Sequence, residues 1–157
     1  MTQSEKHRDP LLEAKIKAAR FCAYRERTQQ EVRDKLYQYG LHQEQVEELI
    51  SDLITEGFIN EERFAIAYAS GKFRLKKWGR LKIQRGLEQH GLTTYCINKG
   101  LDAVEAEDYQ TTLKHLMALK WQRLKESDVF VKKHKTATYL IGKGFEPDLV
   151  WSLLADY

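Results

Sequence analysis

One short pattern recurs three times in this chain and sets the register of nearly everything else: an apolar residue, Leu four positions on, then Gly and another apolar residue. It reads Val32-x3-Leu36-x3-Gly40-Leu41, then Ile83-x3-Leu87-x3-Gly91-Leu92, then Thr136-x3-Leu140-x3-Gly144-Phe145, with Thr136 in the first apolar place of the third copy. The glycines stand 51 and 53 residues apart, a near-constant period that marks a short array of one helical unit. A second apolar pair follows each glycine at a fixed distance. Val46, Ile97 and Val150 share one register position, and Ile50, Leu101 and Leu154 another. Each unit therefore holds a helix, a glycine stop and a further helix. Glycine belongs at the stop because the chain leaves a helix through left-handed φ that residues with a Cβ avoid. Three unrelated helix ends would account for the glycines but not for the apolar residues aligned around them.

The chain of 157 residues suffices for one ordinary domain, but a unit of about 50 residues is near the lower limit for an independent core, so the units are expected to lean on one another. Charged residues make up 31% and apolar residues 42%, too apolar for a disordered chain. The two prolines, Pro10 and Pro147, both stand where a helix would begin. The reading is an all-α protein. No apolar run approaches the roughly 18 residues of a membrane span. The start of the chain, Thr2 to Pro10, is polar and charged rather than an export signal, and a cytoplasmic protein is expected. Cys22 and Cys96 sit among apolar neighbours and read as small core residues rather than a redox pair.

The expected organisation is a mobile leader over residues 1–10, ended by Asp9-Pro10, and three helical repeats over 11–58, 59–106 and 107–157. Helix one of the first unit runs from about Leu11 to Arg25. Thr28 and Glu31 frame a capping box that opens the helix ending at Gly40. Val46, Leu49, Ile50, Leu53 and Ile54 form an apolar stripe stopped by Gly57. Asn60 caps the next helix, whose core face is read as Phe64, Ala67, Tyr68 and Leu75. The third unit carries Leu113, Leu116, Met117 and Trp121, and Thr136 there is attributed to a terminal unit with one uncovered side. Nine helices in three units of three are predicted.

Charge is segregated along the chain. Between Leu36 and Glu62 lie seven acids, Glu44, Glu47, Glu48, Asp52, Glu56, Glu61 and Glu62, and no Lys or Arg. From Arg63 to Leu87 the balance reverses: Arg63, Lys72, Arg74, Lys76, Lys77, Arg80, Lys82 and Arg85, with no acid. A second basic block includes Lys132, Lys133 and Lys135. Solvated helix faces ordinarily mix signs, since opposite charges four residues apart attract; one-sided blocks suit attraction to a charged partner. Trp78, beside Lys76 and Lys77, offers a ring that could stack on a base, anchor a protein interface or pack in a core. Alternatively the two blocks neutralise each other between adjacent units.

Catalytic chemistry is not legible. The five histidines, His7, His42, His90, His115 and His134, are dispersed without an i, i+4 pair or a Cys–His cluster, so no metal site or cofactor is assigned. Gly142-Lys143-Gly144 lacks the spacing and the Ser or Thr of a phosphate loop. No catalytic residue is named and the chain reads as a non-enzyme.

Three segments resemble the RecX family, the regulators of the RecA recombinase: Tyr24 to Leu36 (YRERTQQEVRDKL), Gly57 to Ala65 (GFINEERFA) with Tyr68, and Gly79-Arg80-Leu81-Lys82-Ile83-x3-Leu87-x3-Gly91-Leu92. The resemblance is specific over residues 25–101; the third unit matches in position and pattern more than in residues. Asn60 stands where the family usually has Asp, Thr28 where Ser is common, Val32 where Leu is common, and Gly86 where an acid is common. Gly86 is expected to weaken its helix by roughly 0.5–1 kcal/mol relative to Ala. The resemblance implies an elongated, curved array of three tandem three-helix repeats that lies in the groove of a RecA filament and inhibits its ATPase, strand-exchange and coprotease activities. It thus implies RecA as partner, in recombination, DNA repair and the SOS response. Direct contact of the basic second repeat with single- or double-stranded DNA is the alternative. A monomer that avoids membranes is expected. The candidate binding residues are Arg63, Lys72, Arg74, Lys76, Lys77, Trp78, Arg80, Lys82, Arg85, Lys132, Lys133 and Lys135, expected to line one face.

Overall fold

The computed structural model describes residues 9–157, and among them the chain forms nine α-helices and no strand. They are α1 (Pro10–Tyr24), α2 (Gln29–Gln38), α3 (Gln43–Thr55), α4 (Glu61–Lys76), α5 (Arg80–Gln89), α6 (Thr94–Asp102), α7 (Ala106–Arg123), α8 (Val129–Gly142) and α9 (Pro147–Leu154). The leader and His7 fall on residues 1–8, outside the described residues. Asp9 and Pro10, assigned to that leader, instead open α1: Asp9 caps the helix, its carboxylate accepting the Leu11 amide at 3.0 Å, and Pro10 takes the first helical position.

The repeated glycines do what their register demands. Gly40, Gly91 and Gly144 have φ of 86°, 76° and 99°, and Gly57, which stops α3, has 82°. At the last of these stops the Phe145 amide reaches back to the Leu140 carbonyl at 3.2 Å, so the orphan carbonyls of the helix end are answered within the backbone. The Thr28 box forms in both directions: the hydroxyl accepts the Glu31 amide at 3.1 Å and the Glu31 carboxylate accepts the Thr28 amide at 3.4 Å.

The apolar residues sort into two cores. Ala14, Ala18, Cys22, Val32, Leu36, Val46, Leu49, Ile50 and Leu53 close a core in the first unit, completed by Ile59 at the start of the second. The second and third units instead share one core, running from Phe64, Ala65 and Ala69 through Ile83, Leu87 and Ile97 to Leu113, Met117, Leu140, Phe145, Val150 and Leu154. Two backbone hydrogen bonds stitch these units together: the Gly79 amide donates to the Lys143 carbonyl at 2.8 Å, and the Leu81 amide to the Gly144 carbonyl at 3.0 Å. Across the first junction the ties are polar. Arg63 pairs with Glu26, and the Gln29 amide donates to the Glu61 carboxylate at 3.2 Å.

Four expectations are corrected. Ile54 is 41% exposed and lies outside the buried stripe of α3. The core face of α4 is Phe64, Ala65 and Ala69, with Tyr68 half-buried against it as expected; Ala67 is exposed and Leu75 is 77% exposed. The reason is the crossing of α4 on α6, where a Cβ on Gly100 would meet the Ala65 carbonyl oxygen at 2.7 Å, so the face of small residues has to turn inward. Thr136 is fully buried rather than tolerated at an uncovered side, and its hydroxyl donates to the Lys132 carbonyl at 2.9 Å, which satisfies it. Gly86 is likewise no mere weakness, because a Cβ there would stand 2.1 Å from the Tyr68 hydroxyl. Cys22 is buried and Cys96 half-buried, both as free thiols.

Candidate functional site

The basic stretch of the second unit is shaped by the way α4 ends. Lys77 takes left-handed φ of 57°, the stop that glycine provides elsewhere. The Trp78 amide then folds back onto the Lys72 carbonyl at 3.2 Å. This brings the indole between two ammonium groups, with Lys72 Nζ 4.9 Å and Lys82 Nζ 4.6 Å from the ring centroid, both within reach of the ring quadrupole. Trp78 is half-buried against the shared core and edge-on to Tyr68, with centroids 6.5 Å apart. It is at once a core-edge residue and part of the charged surface.

Other cations gather around this turn. Arg74, Lys76 and Lys77 are exposed at the end of α4, where the helix dipole favours positive charge. Lys143, absent from the sequence-derived set, arrives from the third unit, its Nζ 3.4 Å from the Lys76 carbonyl. Nothing in the sequence marks it, because the contact joins residues 67 positions apart. Among the described residues, none of Lys72, Arg74, Lys76, Lys77, Lys82, Arg85 and Lys143 has a carboxylate partner.

Two of the sequence-derived residues have another job. Arg80 Nη1 lies 2.9 Å from the Glu146 carboxylate and its guanidinium carbon 3.7 Å over the Tyr109 ring. The Arg80 amide donates to the Tyr109 hydroxyl at 3.0 Å, and that hydroxyl in turn donates to Glu146. Burial foremost, then the bond to Glu146, pushes the Tyr109 hydroxyl well above the ordinary tyrosine range. Arg63 is held by Glu26 and by the Gly57 carbonyl at 2.9 Å. Both arginines join units rather than face solvent as unpaired cations.

The third-unit lysines sit elsewhere. Lys132 Nζ is 4.4 Å from the Trp121 ring centroid and Lys135 pairs with Glu126, while Lys133 is half-exposed. Lys132 and Lys143 stand near opposite ends of α8, about 16 Å apart at 1.5 Å rise per residue, so Lys132, Lys133 and Lys135 form a second cluster. Three of the acids on and just after α3, Glu47, Asp52 and Glu56, are answered inside the first unit. Lys15 binds Glu56 at 2.6 Å and Asp52 at 3.9 Å, and Arg33 binds Glu47 at 2.7 Å; the Arg33 hydrogen bond holds the Glu47 carboxyl below its usual range. None of the seven acids pairs with a cation of the second-unit block among the described residues. No helix there is long and apolar enough to cross a membrane, and no group of three or more His, Cys, Asp and Glu gathers as a metal site.

Three family models match the chain, those of the first, second and third three-helix domains of RecX, over residues 14–53, 60–101 and 107–154. The regulatory protein RecX of Clostridium perfringens is 29% identical over 148 residues, covering 93% of this chain and 69% of that protein. That of Clostridium acetobutylicum is 28% identical over 152 residues, covering 94% and 68%. That of Bacillus mycoides is 24% identical over 144 residues, 92% of this chain and 53% of the longer relative. The crystal structure of RecX from Lactobacillus salivarius superposes with a TM-score of 0.86 at 22% identity, covering 94% of this chain and 96% of the other.

Proposed function

Because the chain belongs to the RecX family of regulatory proteins, we propose that it binds RecA filaments in their helical groove and inhibits their recombinase, ATPase and coprotease activities. In this reading it acts in the cytoplasm as a monomer, without catalysis or cofactor of its own. The observation that carries the binding surface is the turn around Trp78, where Lys72, Lys76, Lys77, Lys82 and Lys143 converge with no carboxylate partner among the described residues. Uncompensated cations on a rigid turn attract an oppositely charged surface and speed encounter with it. Arg80 and Arg63 support this surface by locking the units that present it.

The same turn supports a second reading, direct contact with DNA, because lysines flanking an aromatic ring suit a phosphate backbone as well as an acidic protein. Titration of the purified protein onto bare single-stranded DNA and onto preassembled RecA filaments separates the two. The filament reading expects tighter binding to filaments and suppressed ATP turnover by RecA, with no turnover by the protein alone. Equal affinity for bare DNA and filaments, with RecA turnover unchanged, refutes it in favour of DNA binding.

A further inference from the structure

The two junctions of the array are built differently. Between the second and third units the Phe73 and Tyr109 rings approach to 5.8 Å between centroids inside the shared core, and the Gly79 amide donates to the Lys143 carbonyl at 2.8 Å. Between the first and second units no apolar core is shared: among the described residues the first core takes nothing beyond Ile59, and the next begins at Phe64. What holds this junction is polar and near solvent. Arg63, its side chain 47% exposed, pairs with Glu26, and the Glu61 carboxylate accepts the Gln29 amide at 3.2 Å. Two clefts open between the same units, one of about 470 Å³ with Arg25 and Glu26 on one wall and Tyr68 and Lys72 on the other, the second of about 270 Å³ between Arg33 and Gln89. Both reach His90. Units that meet through small, polar contacts move relative to one another, because only a large apolar interface would hold them fixed.

The connection between these units narrows to one peptide. The Phe58 and Ile59 amides both donate to the Leu53 carbonyl, at 2.8 and 3.2 Å, which ties the chain through Ile59 to the end of α3. From Asn60 onward it belongs to α4: the Asn60 side chain accepts the Arg63 amide and its carbonyl accepts the Phe64 amide, each at 2.9 Å. The torsions between the two anchors are held by neither. A hinge needs just such a short, element-terminal step to take up a change in φ and ψ.

We infer that the first unit turns as a rigid body on the second and third about Ile59 and Asn60, with the Arg63 to Glu26 and Gln29 to Glu61 contacts as a salt-sensitive latch on the closed arrangement. The Glu26 carboxylate is poised to let go. One oxygen meets Arg63, while Oε2 is shut off from solvent without a hydrogen-bond partner among the described residues, a desolvation penalty that opening relieves. Exposed ion pairs of this kind contribute little net stability and are screened by salt. Rotation changes the curvature of the array and leaves the Trp78 turn intact, since that turn lies wholly within the second and third units. The motion belongs to the free chain and does not depend on the filament reading.

Double electron–electron resonance on the intact chain tests the hinge. Spin labels go on Gln38→Cys, Asn98→Cys and Gln122→Cys, all at exposed positions, in a Cys22→Ala, Cys96→Ser background checked for unchanged circular dichroism. The pair at 38 and 98 spans the first junction and the pair at 98 and 122 the second. The first pair should give the broader distance distribution, and about 1 M salt, where the screening length falls to about 3 Å, should shift it further from the closed distance. Arg63→Ala and Glu61→Ala should each bring on that shift at low salt, while the second pair stays narrow throughout. Small-angle X-ray scattering of the chain with its native cysteines gives an independent reading, a radius of gyration that shifts with salt and, in Arg63→Ala, no longer does. A first-junction distribution or a radius of gyration that salt and both substitutions leave unchanged overturns the proposal. So does equal broadening of both pairs, which means a general loosening of the fold rather than a hinge.

Discussion

Gly79 lies so close to Gly144 that a Cβ on Gly79 would stand 2.2 Å from the Gly144 carbonyl carbon, and a Cβ on Gly144 would stand 2.3 Å from the Lys82 Cβ. Here backbone meets backbone across the junction of the second and third units, in a place no side chain can enter. The contact also sets the Trp78 turn against Lys143, so the presentation of the charged surface depends on it. Gly79→Ala is expected to lower unfolding free energy by about 1–3 kcal/mol, the usual cost of overpacking, in a chemical denaturation series. Gly142→Ala is the matched control. Nothing lies within 4 Å of a Cβ there, and the exchange at a helical position should be neutral or stabilising by up to about 1 kcal/mol.

Removal of the Tyr109 hydroxyl tests the polar part of the same junction. Tyr109→Phe leaves the Arg80 amide and Glu146 each short of a partner and should cost about 1–3 kcal/mol. The hydroxyl's ionisation is displaced upward by burial and by Glu146. A raised value in the folded state means its stabilisation is intact below the ordinary tyrosine range near ~10 and fades as the pH climbs through the folded-state value. The stability gap between the native protein and Tyr109→Phe should therefore narrow when denaturation is moved from pH 8 to strongly alkaline solution. A gap that stays constant would place the contribution in packing of the ring alone.

Helix stops were the most legible part of the fold, because a left-handed φ leaves a direct mark in composition. Gly40, Gly91 and Gly144 all take it, and Gly40→Val should cost about 1–2 kcal/mol for the backbone alone, measurable as a shift in denaturation midpoint. The buried face of α4 was not legible. Apolar spacing nominated Leu75, yet the close crossing at Ala65 and Gly100 decided the orientation, and that contact joins residues distant in sequence. The charge blocks were legible as blocks, but their pairing was not. Nothing local distinguishes Arg80, bound to Glu146, from Lys82, which lies over Trp78. Tyr109 was missed because its role exists only once α5, α7 and the turn before α9 meet.

Lys77 separates stability from binding. It holds φ of 57° at the end of α4, which costs a residue with a Cβ roughly 1 kcal/mol relative to glycine. Lys77→Gly should raise the thermal midpoint while removing one cation from the proposed filament surface. The expected result is a more stable protein that binds filaments more weakly and with less salt dependence. Equal binding by the stabilised variant would remove Lys77 from the interface.

The charged surface itself calls for a variant that spares the junction. Reversing Arg80 would confound binding with folding, since its guanidinium spans Tyr109 and Glu146. Lys76→Glu, Lys82→Glu and Lys143→Glu in combination touch none of the ion pairs among the described residues. Exposed charges act over about 8–10 Å at ordinary ionic strength, so these three around one turn should act together. The triple variant is expected to bind RecA filaments more than about tenfold more weakly, chiefly through slower association that no longer depends steeply on salt, with its helical circular dichroism retained. Arg80→Ala, by contrast, should lower the thermal midpoint before it alters association. A triple variant with unchanged affinity and salt dependence would make the turn a solvated face and move the search for the filament surface to Glu44 and Glu48 of α3, which have no cation partner among the described residues.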